Sequence, residues 1–210
     1  MKLNGILFVH IPRTGGTHFE KLLGFKGHDH PPRCGSAAYG ANRKEIMGWD
    51  KKLRMMITHT TYEEMVNYNL VSLNEKLINV SIVRNPYHRT VSLFKYFGGR
   101  KKWNSFENFL KLLEGRLSEQ YFYKPQHTFL TYKNKVAIDN LIKFENYKID
   151  VENFRAKHDL EFEVTFNTEM QIKKSKANFE KFYSNKANLN RVEKIYEKDF
   201  ELFKYNYVSP

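Results

Sequence analysis

The residues best suited to chemistry near the start of the chain lie in Pro12–Thr17, which reads PRTGGT. An apolar run, Ile6–Val9, precedes this segment, and apolar residues at helical spacing follow it as far as Leu23. A strand that turns into a helix through glycines leaves backbone N–H groups pointing one way, and the helix dipole adds partial positive charge there. Such a turn can hold a phosphate or sulfate, although a tight turn without a ligand is the alternative. The predicted anion site consists of Arg13, Thr14, Gly15, Gly16 and Thr17.

This segment differs from the Walker A loop, which reads G-x-x-x-x-G-K-[ST]. In the corresponding window, His10–Thr17, His10 replaces the first Gly and Gly16 occupies the position of the Lys. That Lys reaches the β- and γ-phosphates, so its loss counts against a P-loop kinase of a small molecule. The only cation of the loop is Arg13. The loop is therefore predicted to cradle a single anionic group.

A second group of anion-binding side chains lies in Arg84–Ser92, which reads RNPYHRTVS. The preceding run Leu77–Val83 is predicted to be a strand, so Arg84 falls at its carboxyl end. Asn85 as N-cap and Pro86 in the first turn predict that a helix begins there. Taken alone, the pattern also fits an ordinary capped helix with a surface Arg.

A candidate base lies between these two motifs. Leu53–Thr58 is predicted to be a second strand, which places His59 at its carboxyl end. In open α/β sheets ligands bind at that edge. A helix is predicted to start next, with two overlapping capping boxes. Their pairs are Thr60 with Glu63 and Thr61 with Glu64.

The sequence HIPRTGGT resembles the 5′-phosphosulfate-binding loop of sulfotransferases that use 3′-phosphoadenosine 5′-phosphosulfate (PAPS). It is most similar to the carbohydrate branch of the heparan sulfate 2-O type, which usually reads H-I-P-K-T-G-G-T. Arg13 stands where that branch has Lys, which replaces a point charge with a planar fork. RNPYHRTVS resembles the 3′-phosphate motif of the same family, an Arg followed eight residues later by Ser.

The resemblance implies that PAPS is the donor and adenosine 3′,5′-bisphosphate the product. By the same resemblance, Arg84 and Ser92 hold the 3′-phosphate, while the loop with Arg13 stabilises charge on the departing 5′-phosphate. His59 is the candidate general base because some relatives use a His after the second strand. Other relatives use Glu, so Glu63 and Glu64 are alternatives, and a turn histidine without a chemical role is another.

The implied reaction moves a sulfuryl group to an acceptor hydroxyl and needs no metal. The family branch favours a carbohydrate acceptor, and a tyrosine or a small molecule are the alternatives. Two shorter segments also resemble family wording. They are Gln126–Leu130, similar to a segment that lines the acceptor cleft, and Phe144–Asn146.

The alternation of strands and helices predicts an α/β fold with a central, mostly parallel sheet. The resemblance implies a P-loop-like three-layer α/β/α arrangement. Asp139–Phe144 is predicted to add a strand, and Phe106–Leu113 to form a helix started by Ser105. A helical stripe near the end of the chain predicts core contacts at Leu189, Val192, Ile195, Tyr196, Phe200 and Phe203. No repeat or interdomain linker is evident, so one domain is expected over residues 1–210.

The composition narrows the partners without selecting one. The chain has 210 residues, 41% of them hydrophobic, with a formal net charge of +12 that favours anionic partners. A non-enzymatic polyanion- or nucleic-acid-binding module is an alternative, but no nucleic-acid motif is recognisable, so no specific nucleic-acid partner is expected.

The single cysteine, Cys34, fits a reducing compartment. With no apolar run long enough to span a membrane, a cytoplasmic protein or a trimmed soluble domain is expected. His28, His30 and Cys34 match no common zinc pattern, so no metal site is predicted.

Overall fold

The computed structural model describes residues 1–25, 44–117, 120–164 and 179–207. Its central sheet contains, in spatial order, β1 (Lys2–Leu3), β2 (Ile6–Val9), β5 (Ile78–Val83) and β8 (Asn140–Lys143). β5 pairs in parallel with both β2 and β8, and β1 pairs antiparallel with β2. The carboxyl ends of the three parallel strands therefore meet at one edge of the sheet, and the segments that follow them lie together.

Helices account for much of the remaining described chain, with two short hairpins and two 3₁₀ turns. The helices are α1 (Gly16–Leu22), α2 (Tyr62–Asn67), α3 (Pro86–Tyr96), α4 (Gly99–Trp103), α5 (Phe106–Arg116), α6 (Gln126–Leu130), α7 (Tyr147–Lys157), α8 (Lys186–Ile195) and α9 (Glu197–Phe203). The hairpins pair β3 (Trp49–Asp50) with β4 (Met55–Met56) and β6 (Thr131–Tyr132) with β7 (Lys135–Val136). The 3₁₀ turns are Ile57–His59 and Phe144–Asn146.

The core covers both faces of the sheet, because alternate residues of β2 point to opposite sides. Ile6 and Phe8 belong to a buried cluster that includes residues of α7. Leu7 and Val9 belong to another cluster that includes residues of α2 and α6. Helices thus flank a central sheet of mostly parallel strands, which confirms the predicted α/β class.

A third buried cluster joins α3, α5, α8 and α9. It contains much of the helical stripe predicted near the end of the chain. Leu189, Val192, Tyr196 and Phe200 are buried there, Ile195 packs against it partly buried, and Phe203 is buried in the cluster with α2 and α6. The prediction of core contacts along this stripe is therefore confirmed.

The predicted strand Leu53–Thr58 is wrong. Only Met55–Met56 is extended, and it pairs with Trp49–Asp50 in a hairpin outside the central sheet. The carboxylate of Asp50 accepts hydrogen bonds from the backbone N–H groups of Lys52 and Leu53, at 2.9 and 3.0 Å. This local turn folds the segment back on its own neighbours, so the segment does not join the central sheet.

The predicted helix starts are mostly confirmed. In α2 the hydroxyl of Thr61 accepts from the Glu64 N–H at 3.1 Å, and the Glu64 carboxylate accepts from the Thr61 N–H at 2.7 Å. The second box, Thr60 with Glu63, is wrong because the Thr60 hydroxyl donates to the Ile57 carbonyl at 2.8 Å.

The caps of α3 and α5 form as predicted. Asn85 accepts from the Tyr87 N–H at 3.0 Å, with Pro86 in the first turn, and Ser105 accepts from the Asn108 N–H at 3.1 Å.

His28, His30 and Cys34 lie outside the described residues. Within the described ranges, no helix is long and apolar enough to cross a membrane.

Candidate functional site

The loop between β2 and α1 is closely packed around its glycines. Gly15 has φ +94°, and a Cβ atom there would lie 2.7 Å from Cδ2 of Phe144. A Cβ atom on Gly16 would lie 2.4 Å from the ring of His10. No side chain fits at either position, so both glycines are sterically required for this loop.

The two threonines of the loop have different surroundings. Thr14 is buried, and its hydroxyl donates to the Ile11 carbonyl at 2.9 Å, which braces the turn. Thr14 would therefore serve an anion through its backbone N–H. Thr17 is exposed in the first turn of α1, where its hydroxyl could contact a ligand.

The structure brings the two sequence motifs into direct contact. Nε of Arg13 donates to Oγ of Ser92 at 3.1 Å, across 79 residues of sequence. Nη1 of Arg84 donates to the Arg13 carbonyl oxygen at 3.4 Å. Arg84 also lies over the Phe144 ring, with 4.3 Å between Cζ and the ring centroid. Two guanidinium groups and a serine hydroxyl therefore converge beside the glycine loop.

This convergence concentrates positive charge. The pKa of Arg84 is lowered from 12.5 to about 10, chiefly by burial; Glu145 opposes this shift, and the Arg13 charge adds to it. Arg84 is still protonated at neutral pH. Because two like charges held together in a partly buried site repel, a bound anion would relieve the repulsion.

The backbone of Arg84 is fixed by a buried glutamine. Oε1 of Gln126 accepts from the Arg84 N–H, and Nε2 donates to the Arg84 carbonyl, both at 2.8 Å. Asp199 of α9 in turn accepts from the N–H groups of Gln126 and His127, at 2.7 and 2.8 Å. Sequence reasoning missed this support. The resemblance at Gln126–Leu130 was the available signal for Gln126, and no local signal marks Asp199.

Arg89 links the loop to a neighbouring segment. It is 1% exposed, and burial lowers its pKa. Its Nε donates to the Pro12 carbonyl, and its two terminal nitrogens donate to the carbonyls of Phe122 and Lys124, all at 3.1 Å. The buried Arg89 side chain thus fixes the positions of the loop between β2 and α1, α3 and the chain around Phe122 relative to one another.

His59 lies next to the loop at the end of a 3₁₀ turn rather than at the end of a sheet strand. Its Nδ1 is 3.1 Å from the His10 carbonyl oxygen. A carbonyl only accepts, so Nδ1 carries hydrogen, and in the neutral ring the lone pair is on Nε2. This is the tautomer that a general base needs.

Buried groups also hold His10 itself. The rings of His10 and His59 meet edge to face with 4.5 Å between centroids. Nδ1 of His10 lies 2.5 Å from Oε1 of Glu20, whose side chain is fully buried. The His10 ring therefore has a fixed orientation beneath Gly16 and beside His59.

The alternative carboxylates are engaged elsewhere. Glu64 completes the α2 capping box and forms an ion pair with Lys124 at 3.0 Å. Glu63 is exposed and accepts from the Lys133 N–H at 3.3 Å. Of the three candidate bases, the geometry favours His59.

Three aromatic side chains, Tyr96, Tyr121 and Phe122, lie between His59 and Arg13; we call them the aromatic wall. The His59 ring is 5.6 Å from Tyr121 and 5.5 Å from Phe122, measured between centroids. Phe122 stacks on Tyr96 at 5.4 Å, and Cζ of Arg13 lies 4.6 Å from the Tyr96 centroid. Sequence reasoning did not identify the aromatic wall, because Tyr96 is distant in sequence from the adjacent Tyr121 and Phe122 and none of the three lies in a recognised motif.

The fold and this site define an α/β protein in which two arginines and a serine meet beside a glycine loop. In the described part of the chain, no group of three or more His, Cys, Asp or Glu side chains could hold a metal ion. The sequence matches the sulfotransferase family over residues 2–206, so the chain belongs to that family, whose members transfer a sulfuryl group. Searches of curated proteins and of solved structures found no match.

Proposed function

We propose that this sulfotransferase uses PAPS as its donor and transfers the sulfuryl group to a hydroxyl of a carbohydrate. The observation that carries the donor proposal is the contact between Arg13 and Ser92 beside Arg84, because it joins two anion-binding motifs into one site. A nucleotide with anionic groups at both its 5′ and 3′ positions matches this paired arrangement. The carbohydrate proposal rests on the similarity of HIPRTGGT to the carbohydrate branch.

At the 5′ side, the glycine loop would act as a P-loop-like cradle. Its backbone N–H groups, Thr17 and Arg13 would hold the 5′-phosphate and stabilise the negative charge that develops there as the bond to sulfur breaks. Arg84 and Ser92 would hold the 3′-phosphate. Because Arg13 also contacts Ser92, it would connect the two ends of the donor site.

At the acceptor side, His59 would act as general base. Its Nε2 would take the hydroxyl proton as the acceptor oxygen attacks sulfur, and the bond between sulfur and the 5′-phosphate oxygen would break with its electron pair left on that phosphate. Positioning and charge stabilisation supply most of the catalysis in such in-line transfers. The roles assigned to His59 and Arg13 need no metal ion.

Nucleotide-dependent melting tests the donor proposal. Adenosine 3′,5′-bisphosphate at about a hundred times its Kd should add ~2.7 kcal/mol and raise the Tm by roughly 5–11 °C. ATP with Mg²⁺ should raise it much less. The variant Ser92→Ala should lose most of its preference for the 3′-phosphorylated nucleotide, because a charge-assisted hydrogen bond is worth roughly one to two decades in affinity.

Other outcomes identify the alternatives. Equal shifts with both nucleotides would point to a small-molecule kinase. No shift with either would point to a polyanion-binding module. A tenfold loss of sulfuryl transfer in EDTA that Mg²⁺ restores would overturn the metal-free mechanism.

A further inference from the structure

The aromatic wall links His59 to Arg13 through ring contacts. In the proposed function, on which this inference rests, the sulfuryl group lies beside Arg13 and the base is His59. Tyr96 contacts Arg13, and Phe122 contacts both Tyr96 and His59. A hydroxyl placed between Arg13 and His59 therefore brings the rest of the acceptor against these rings.

The aromatic wall is held in place from behind. Arg89 donates to the carbonyl of Phe122, and the same guanidinium donates to Pro12 of the anion loop. Tyr96 is the last residue of α3, the helix that carries Arg89 and Ser92. Because one buried side chain links the loop and Phe122, the aromatic wall and the donor site keep a fixed spacing, as a specificity surface requires.

The surface chemistry of the aromatic wall is amphipathic. Phe122 supplies apolar ring surface, and Tyr96 and Tyr121 add rings with polar ends. Tyr96 is 42% exposed, and Tyr121 and Phe122 are partly exposed, so solvent reaches all three side chains. An open surface of this kind suits a hydrated ligand that has both an apolar face and polar edges. A pyranose ring fits that description better than a phenol, which favours an enclosed apolar pocket.

Positive charge lies at the outer edge of the aromatic wall. Phe97 packs against Phe122 with 5.3 Å between centroids, and Nζ of Lys102 lies 6.0 Å from the Phe97 centroid. Lys102 and its neighbours Arg100 and Lys101 are exposed on α4. Exposed cations beside a binding surface attract and orient anionic ligands.

We propose that Tyr96, Tyr121 and Phe122 form the acceptor subsite and bind a pyranose ring of an anionic glycan, with Arg100–Lys102 contacting its negative charges. Phe122 sets acceptor specificity, and it does so without contributing to donor binding.

The test uses the variant Phe122→Leu, which keeps apolar volume and removes the ring. Transfer from PAPS to desulfated heparin, a polysaccharide that retains its carboxylates, reports acceptor binding. Its KM should rise about 5- to 10-fold, the size expected for losing one aromatic contact. The Kd for adenosine 3′,5′-bisphosphate should change less than about twofold, because Phe122 is none of the residues assigned to the donor. Tyr68→Ala, which removes a tyrosine that is 37% exposed outside the aromatic wall, is the matched control and should change none of these.

Each contrary outcome has a distinct meaning. An unchanged KM in Phe122→Leu, with nucleotide binding intact, overturns the acceptor subsite. Transfer by the wild type to p-nitrophenol or a tyrosine peptide but not to the polysaccharide overturns the glycan assignment. If the wild type fails to bind adenosine 3′,5′-bisphosphate, the proposed function itself fails.

The double variant Lys101→Ala with Lys102→Ala should raise the polysaccharide KM at low salt and lose that effect at high salt, because exposed charges are screened.

Discussion

At the scale of single residues, the contacts of His59, Glu63 and Glu64 distinguish three side chains that the sequence leaves as candidates for the base. His59 was one of three candidate bases in the sequence, together with Glu63 and Glu64. The contact between Nδ1 of His59 and a carbonyl oxygen fixes the tautomer, and the ring of His10 fixes its orientation. Glu64 serves a helix cap and an ion pair instead. These contacts favour His59 for proton transfer.

Replacing His59 by Ala should lower kcat by ~10²–10⁴, the usual span for loss of a general base. The Kd for adenosine 3′,5′-bisphosphate should be unchanged, because the proposed donor contacts come from other residues. The wild-type rate should fall on the acid side as the imidazole protonates, and the variant should lose that limb. Steady-state kinetics across pH, with nucleotide titration of each protein, measure both effects.

Glu64→Gln and Glu63→Gln serve as controls for the base assignment and should keep most of the activity. If either abolishes turnover while His59→Ala retains it, the base is a carboxylate. A parallel loss of nucleotide affinity and thermal stability in His59→Ala would instead make His59 a structural turn residue.

At the scale of elements, the sequence predicted those strands and helix starts that depend on interactions between neighbouring residues. The buried run Ile6–Val9 became β2, and the caps Asn85 and Ser105 start helices where their sequences indicated. The strand predicted at Leu53–Thr58 failed because a turn at Asp50 pairs this segment with its own neighbour. Apolar composition alone does not distinguish a hairpin strand from a sheet strand.

The candidate site also has parts that short segments of sequence reveal and parts that depend on contacts between distant segments. The glycine loop and the Arg84–Ser92 motif could be recognised from short segments. The support from Gln126 and Asp199 spans 73 residues and could not, because it depends on how α9 packs against α6. The aromatic wall likewise depends on the packing of α3 against the chain around Phe122.

Asp199→Asn should therefore affect both stability and donor binding. The carboxylate accepts from two backbone N–H groups and from Nδ1 of His127 at 2.7 Å, and its side chain is fully buried. Losing the charge from bonds of this kind should cost about 2–4 kcal/mol, a Tm decrease of roughly 4–16 °C. The Kd for adenosine 3′,5′-bisphosphate should rise as well, because Gln126 positions the Arg84 backbone.

The matched control for this change is Glu201→Gln, an exposed carboxylate on the same helix, α9. It should alter Tm by no more than about 1–2 °C, as expected for a surface substitution. A loss of stability in Asp199→Asn with unchanged nucleotide affinity would show that the link from Asp199 through Gln126 to Arg84 has no functional effect.

At the scale of the whole molecule, the net charge of +12 adds to the cost of any further buried positive charge. His88, which lies in sequence between the proposed donor-site residues Arg84 and Ser92, is the clearest case. Burial lowers its pKa from 6.5 to about 4, and the nearby Arg84 charge acts in the same direction. Its Nδ1 is buried without a hydrogen-bond partner among the described residues. The folded protein therefore resists protonating a group that the unfolded chain protonates readily.

The consequence is a loss of stability in acid. The pKa of His88 is lower in the folded state than in the unfolded chain. Above pH 6.5 the side chain is mostly neutral in both states, so it does not lower the free energy of unfolding there. Stability should fall as the pH drops from about 6.5 toward about 4, since only the unfolded chain binds the proton in that window. The contribution should be roughly 1–3 kcal/mol, reduced from the full shift because the side chain is not wholly buried.

The variant His88→Gln isolates this contribution, since it keeps a polar side chain of similar size and removes the titration. Urea unfolding at pH 7 and pH 4.5 should show a smaller loss of unfolding free energy in the variant than in the wild type. His158→Gln is the control: burial also lowers the pKa of His158, but no arginine charge acts on it, so this variant should stay close to the wild type. Adenosine 3′,5′-bisphosphate should narrow the difference between wild type and His88→Gln, because a phosphate bound at Arg84 offsets the charge that opposes protonation. Equal acid sensitivity in all three proteins would show that His88 protonates without cost.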